Sequence, residues 1–274
     1  MKLRSISLNH VQLPMKFNFK TAKGELKQRD TIIIIVEDET GHQGYGECVS
    51  FTTPFYTQET FDSSWECLSQ TYIPKVMTAN FTHPFEIHEF FEQPLPMAMA
   101  GLENALLDLY YKTQGKNTIA ALFPEPLTEA LSRGAVLGDV PFEQLPEKIE
   151  ALIAQGVERI KLKIKPTDGF ERIQYAVEHY PQLQWAVDAN RSYALENIEA
   201  LIKLDQFGLV CIEEPFATDN LEDYKDILPQ LSTPICFDEN VLTWSDLQTL
   251  SQLKGKTMLN IKIGRLGGLY QTKE

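Results

Sequence analysis

RIKLKIK (159–165), QWAVDAN (184–190), LVCIEEP (209–215), PICFDEN (234–240) and MLNIKIG (258–264) are five short segments with one pattern. Each sets a few apolar or β-branched residues before a charged one. That is how a buried parallel strand reads when its C-terminal end carries a functional group. The charged ends are Asp188, Glu213, Asp238 and Lys262, separated by 25, 25 and 24 residues. A strand, a helix and two loops fill such a step. The pattern therefore predicts an α/β fold of repeated βα units, in a closed barrel or a doubly wound parallel sheet.

In a (β/α) barrel all strand C-termini open on one face, so residues at matching positions converge there. Three carboxylates on adjacent strand ends, Asp188, Glu213 and Asp238, would raise one another's pKa unless a cation lay among them. The set contains no His or Cys, which favours Mg²⁺, or Mn²⁺, over Zn²⁺. Strand alternation puts Lys161, Lys163 and Lys165 on one face. A lysine near a metal and a second ammonium is expected to have its pKa lowered from ~10.4 toward about 7–8, the range of a general base. Taken singly, each acid also reads as a helix N-cap after a strand. The shared period, with lysines on both sides, favours the metal reading. Glu214 and Glu239 fall on the opposite face by alternation and are expected to support the ligands or form ion pairs, with Asn190 as a further hydrogen-bond partner.

KLK at 161–163, DAN at 188–190, EEP at 213–215, DEN at 238–240 and NIKIGRLGG at 260–268 together resemble the enolase superfamily, muconate-lactonizing subgroup. Within it they are most similar to o-succinylbenzoate synthases related to N-acylamino acid racemases. The resemblance implies an N-terminal α+β capping domain (1–125) and a TIM-type (β/α) barrel domain (126–274). It implies Mg²⁺ held by Asp188, Glu213 and Asp238, with Lys163 as the base that removes the proton α to a substrate carboxylate. Lys262 would stabilise the resulting ene-diolate, and Lys161 would complete the catalytic set. The reaction implied is syn dehydration of 2-succinyl-6-hydroxy-2,4-cyclohexadiene-1-carboxylate to o-succinylbenzoate, in menaquinone biosynthesis. A racemase or dipeptide epimerase would use Lys163 and Lys262 on opposite faces of the α-carbon. The KIK at 163–165 fits the KxK pattern formally as well as 161–163 does. Arg265 reads either as a substrate-carboxylate ligand or as a bridge to a loop acid.

The net charge of −13, from 38 acidic and 25 basic residues, argues against nucleic-acid binding. It suits a cytoplasmic enzyme; the resemblance implies a small-molecule carboxylate as substrate and leaves a homo-oligomer open. Cys48, Cys67, Cys211 and Cys236 form no CxxC pair; Cys211 and Cys236, in apolar segments, read as inert core thiols. The start MKLRSISLNH lacks the apolar core of a signal peptide. The aliphatic run Ile32 to Val36 is too short to span a bilayer.

Residues 2–13 and 31–37 read as strands and 45–49 as a third, with a polar, mobile loop at 17–30. Helices are expected at 58–76, 84–92 and 97–114. Phe51, Phe55 and Tyr56, in a second loop, suit either contact with an aromatic substrate or ordinary packing. The barrel is expected to begin near Glu129, with a first strand at 130–137 and helices at 142–155, 168–179, 195–205, 219–228 and 244–253. A complete (β/α)₈ barrel takes ~250 residues, whereas positions 126–274 supply strands one to six. The chain is thus expected to be an incomplete family member, an open six-stranded sheet with two unpaired edges, and an inactive truncated remnant is a third reading.

Overall fold

In the computed structural model the chain folds as two compact units, Met1–Leu127 with Ile261–Glu274, and Thr128–Asn260. The structure describes residues 1–21, 24–54, 56–123, 131–138 and 140–273, with backbone alone for 16–21 and 24–26. Phe55 and the expected barrel start near Glu129 lie outside the described residues.

The first unit opens with strands β1 (Leu3–Thr21), β2 (Gly24–Asp38) and β3 (Gln43–Cys48), an antiparallel sheet in that order. The expected loop at 17–30 is instead the far end of the β1–β2 hairpin, paired out to Thr21↔Gly24. Polar composition misled here, because a two-stranded ribbon is held by backbone hydrogen bonds, which composition does not record. Nearer the core the alternation is plain: Ile32, Ile34 and Val36 are fully buried. Helices α1 (Phe61–Cys67) and α2 (Ile73–Thr78) follow, joined by one π-helical turn, then a 3₁₀ segment Pro84–Phe90, α3 (Pro96–Lys112) and α4 (Thr118–Leu122). Helix α3 is the spine. Strand β3 lies directly on it, because a Cβ at Gly46 would fall 2.0 Å from the Gly101 carbonyl oxygen. The first free amides of α3, on Met97 and Ala98, both donate to the Glu59 carboxylate at 2.8 Å, which offsets the helix dipole.

The second unit is a parallel sheet of β4 (Gly134–Leu137), β5 (Arg159–Lys163), β6 (Gln184–Asp188), β7 (Ile212–Glu213), β8 (Ile235–Phe237) and β9 (Thr257–Leu259), in sequential order. Connections carry α5 (Leu145–Ile153), α6 (Gly169–His179), α7 (Ile198–Asp205) and α8 (Trp244–Gln252). One expected helix is absent: residues 219–228 form two 3₁₀ turns, Leu221–Tyr224 and Leu228–Gln230. Asn220 caps the first turn through the Glu222 amide, and Pro229, which has no N–H, sits in the second. The core lies between one face of the sheet and these connections. Ile160, Leu162, Trp185, Val187, Ile212, Ile235 and Phe237 meet Ile149, Ile173, Leu201 and Leu250 there. At the edges, Val136 of β4 and Met258 and Leu259 of β9 are exposed.

The chain then rejoins the first unit as two short helices, α9 (Ile263–Leu266) and α10 (Leu269–Lys273), separated by Gly267 at φ 90°. Buried Glu103 of α3 accepts the amides of Leu269 at 2.6 Å and Tyr270 at 3.2 Å, fixing α10. Among the described residues no helix is long and apolar enough to cross a membrane.

Candidate active site

Period-2 alternation divides the parallel strands. While the residues named above face the core, Lys161, Lys163, Ala186, Asp188, Cys211, Glu213 and Cys236 fall on the other, inner face. Parallel pairing then aligns the polar ones: Lys163 is level with Asp188, and Asp188 with Glu213. Glu213 is level with Cys236, so Asp238 stands one inward-facing step farther along its strand. An offset of this kind between neighbouring strands is the stagger on which barrels are built.

Asp188, Glu213 and Asp238 are 4 %, 5 % and 3 % exposed, although all three are acids. Burial of this degree requires partners. The Lys161 ammonium donates to both Glu213 oxygens at 2.8 and 2.9 Å and stands 3.5 Å from Asp188 Oδ2. Lys163 Nζ is 3.6 Å from the same Asp188 oxygen and donates to the Asn190 side-chain carbonyl. Asn260 Nδ2 reaches Glu213 at 3.2 Å and Asp238 at 3.4 Å. One connected network therefore contains all three expected ligands, two of the expected lysines and Asn190.

The electrostatics of Lys161 follow from the acids beside it. Burial works to lower the Lys161 pKa, but the Glu213 hydrogen bond and the charges of Asp188 and Glu213 outweigh it, and the pKa is raised. Two carboxylates beside one ammonium hold the proton on; a divalent cation among the same carboxylates would push the other way. Lys165 is exposed and lies past the end of β5, its carbonyl taken by the Gly169 amide at 2.8 Å. The KxK pair on the inner face is therefore 161 and 163.

One residue of the network, Asn260, is not singled out by the sequence reading. Asn260 shares the parity of Met258 and Lys262 in MLNIKIG, the signal that could have placed it. Glu214 is fully buried on the core side. It forms no ion pair among the described residues; its Oε1 accepts the amides of Asp238 at 2.6 Å and Asn240 at 2.9 Å. Desolvation pushes its carboxyl up to about 7. Glu239 is half-buried at the same strand end. Cys211 and Cys236 are packed with Ala186 beneath the acids, and the hydrogen bond between the thiols, with burial, raises the Cys236 pKa. A thiol held protonated in this way is a poor nucleophile.

The remaining candidates belong to the first unit. Tyr56 lies between two cations: Lys262 Nζ is 5.0 Å from its ring centre, and Arg265 Nη1 donates to its hydroxyl at 2.8 Å. Arg265 is buried against this tyrosine. Phe51 packs edge-on to Tyr56 at 6.3 Å and carries the Arg29 guanidinium over its ring, 4.3 Å from the centroid.

Residues 144–274 match the family model described as enolase C-terminal domain-like. An o-succinylbenzoate synthase from Geobacillus kaustophilus is 36% identical over 271 residues, 98% of this chain and 72% of that protein. The chain belongs to the o-succinylbenzoate synthase and N-succinylamino acid racemase family of the enolase superfamily. An N-succinylamino acid racemase from Thermus thermophilus is 32% identical, over 98% of this chain and 73% of its own. Among solved structures, an enolase superfamily member from Listeria innocua Clip11262 superposes with TM-score 0.92 at 32% identity, covering 99% of this chain and 73% of that one. The α/β fold, a small antiparallel sheet and a parallel sheet of sequential strands, is thus the fold of the superfamily.

Enolase superfamily chemistry implies a divalent metal, and the donor chemistry fits one. The three buried acids offer only oxygen, as Mg²⁺ prefers. Among the described residues no three His, Cys, Asp or Glu side chains already converge on a single point; Lys161 and Asn260 span the acids instead. The backbone register sets Asp188 beside Glu213, and Asn260 links Glu213 to Asp238.

Proposed function

We propose that this chain is an o-succinylbenzoate synthase, acting on 2-succinyl-6-hydroxy-2,4-cyclohexadiene-1-carboxylate. The observation that carries the reading is Lys163, level with Asp188 and tied to Asn190, beside three buried carboxylates. Asp188, Glu213 and Asp238 would hold Mg²⁺, with Mn²⁺ as a substitute. When bound, the metal would supply Lewis-acid stabilisation of the charge that develops on the substrate carboxylate. Lys163, as the amine, takes the proton α to that carboxylate. The resulting ammonium returns it to the departing hydroxyl on the same face, so that water leaves and the ring becomes aromatic. Lys161 holds Glu213 in place and balances part of the acid charge. Asn190 keeps the Lys163 side chain turned toward the inner face.

The T. thermophilus relative supports a second reading, racemisation of an N-succinylamino acid. Here Lys163 would exchange the α-proton on one face and Lys262, by the family pattern, on the other. The test is the dehydration assay with purified chain, with and without Mg²⁺, on wild type and Lys163→Ala. Metal-dependent aromatic product from wild type alone supports the synthase. Loss of optical activity from an N-succinylamino acid without dehydration supports the racemase. Unchanged dehydration in Lys163→Ala would overturn the role given to that residue.

A further inference from the structure

Among the described residues, every non-glycine residue with a left-handed φ sits at one of two adjacent strand ends: Asn190 (44°) and Arg191 (61°) after Asp188, and Glu214 (37°) after Glu213. Such conformations are costly and persist where the surroundings over-determine them. The contacts that do so meet at Glu214. Its amide donates to the Cys236 carbonyl at 3.0 Å, and its carbonyl accepts the Arg191 amide at 2.7 Å. Its side-chain Oε1 takes both the Asp238 and the Asn240 amides. One residue thus ties together the ends of β6, β7 and β8, the three strands that deliver Asp188, Glu213 and Asp238.

The side chain looks misplaced on ordinary grounds. A carboxylate with no exposed surface, next to an acid already committed to the inner face, is expensive. Its second oxygen, Oε2, is buried without a hydrogen-bond partner. A position chosen for stability alone would carry an apolar residue, as its core-facing neighbours Ile212 and Phe216 do. Two amide donors from the next strand end are what an acid gains there. Those amides belong to Asp238 itself and to the residue two beyond it.

We infer that Glu214 is a positioning residue that sets the Asp238 backbone relative to Asp188 and Glu213, so that the three carboxylates form one cation site. The inference rests on the metal role proposed above for those acids. It needs an acceptor oxygen at position 214 and makes no use of a proton there.

The experiment compares Glu214→Met, which keeps length and removes the acceptor, with Glu214→Gln, which keeps one acceptor oxygen. Mn²⁺ affinity is read by electron paramagnetic resonance, and backbone amide exchange around 238–240 by mass spectrometry without metal. Glu214→Met is expected to weaken Mn²⁺ binding about 10-fold or more, the range for loss of a ligand's supporting contact, and to speed exchange at 238–240. Glu214→Gln is expected to restore both to near wild type. Glu103→Gln, a buried acid elsewhere in the chain, controls for general destabilisation and is expected to leave Mn²⁺ affinity unchanged. Wild-type affinity in a folded Glu214→Met protein would overturn the inference, as would unchanged exchange. If Glu214→Met does not fold, Mn²⁺ binding about 10-fold or more weaker than wild type in Glu214→Gln overturns it. Failure of wild type itself to bind Mn²⁺ would instead sink the metal role, and the exchange data would still decide whether Glu214 fixes the 238–240 backbone.

Discussion

The two faces of the parallel sheet are built by the same six strands and have opposite characters. Leu162 is fully buried in the core, and the lysines on either side of it stand among acids. Val187 and Ile212 pack into the core against helices, and Asp188 and Glu213, one residue later, join the polar network on the inner face. Moving one residue along a strand exchanges stability for chemistry. The lesson is that a parallel strand, normally apolar on both faces, can turn one face over to charged groups if those groups neutralise one another.

The sharpest test of that division substitutes adjacent residues. Lys163→Ala is expected to lower turnover by about 10²–10⁴-fold, the usual contribution of a general base, while leaving the urea midpoint within error of wild type. Leu162→Ala is expected to do the reverse, costing about 2–5 kcal/mol of stability by opening a cavity and sparing the turnover of the molecules that remain folded. If both variants changed turnover alone, or both stability alone, the two faces would not be separate.

A smaller effect probes how the inner face tolerates its charge. Lys161→Met removes an ammonium shared by Asp188 and Glu213. Uncompensated buried acids cost about 3–5 kcal/mol, but Lys161 keeps a quarter of its side chain exposed, and solvent screening reduces the expected loss to about 1–3 kcal/mol. Added Mg²⁺ is expected to raise the melting temperature of the variant more than that of wild type, because the cation replaces the missing charge. The pH dependence has a definite sign. The folded Lys161 pKa lies above its ordinary 10.5, so its contribution is complete below that value and is lost as pH rises through the folded pKa. Melting curves between neutral pH and pH 11 would show the wild type approaching Lys161→Met only at the alkaline end.

Much of this was legible in the residues. The 25-residue step and the strict alternation of RIKLKIK placed five strands and both faces, because a buried strand end leaves few side chains that fit. Lys163, Asp188, Glu213 and Asn190 are joined as the pattern implied, and the family followed from motifs in order. Less legible were features that depend on where backbone groups point. Glu214 reads as a ligand support or an ion-pair partner, and which groups it holds is settled only by the position of the amides of the next strand end. The strand ribbon at 17–30 reads as a loop, since its hydrogen bonds leave no trace in composition. The 3₁₀ turns at 221–230 hinge on one proline and one asparagine. Tyr56 and Arg265 meet across 209 residues of sequence, a separation over which no local pattern carries information.

The smallest predicted effect extends the comparison from the two faces to the two ends of the strands. Asp188, Glu213 and Asp238 lie at C-terminal ends, where a barrel does its chemistry, and an acid at an N-terminal end should serve stability alone. Asp205, at the end of α7, is such an acid. It accepts the Ser232 amide at 2.9 Å and the Thr233 amide at 2.6 Å, just before β8 begins. Burial works against its charge, but the hydrogen bonds from Thr233 and Ser232 prevail and its pKa is lowered below 3.8. A depressed carboxylate pKa gives stability that is present above the unfolded value and is lost as pH falls through the folded one. Asp205→Asn is therefore expected to cost about 1 kcal/mol at pH 7, a charge-assisted pair discounted for its solvent contact. The deficit should shrink as pH falls below 4, measured by urea midpoints across that range. Mn²⁺ affinity and turnover should stay unchanged; an Asp205→Asn protein that lost metal binding at neutral pH would show that the two ends of these strands are coupled.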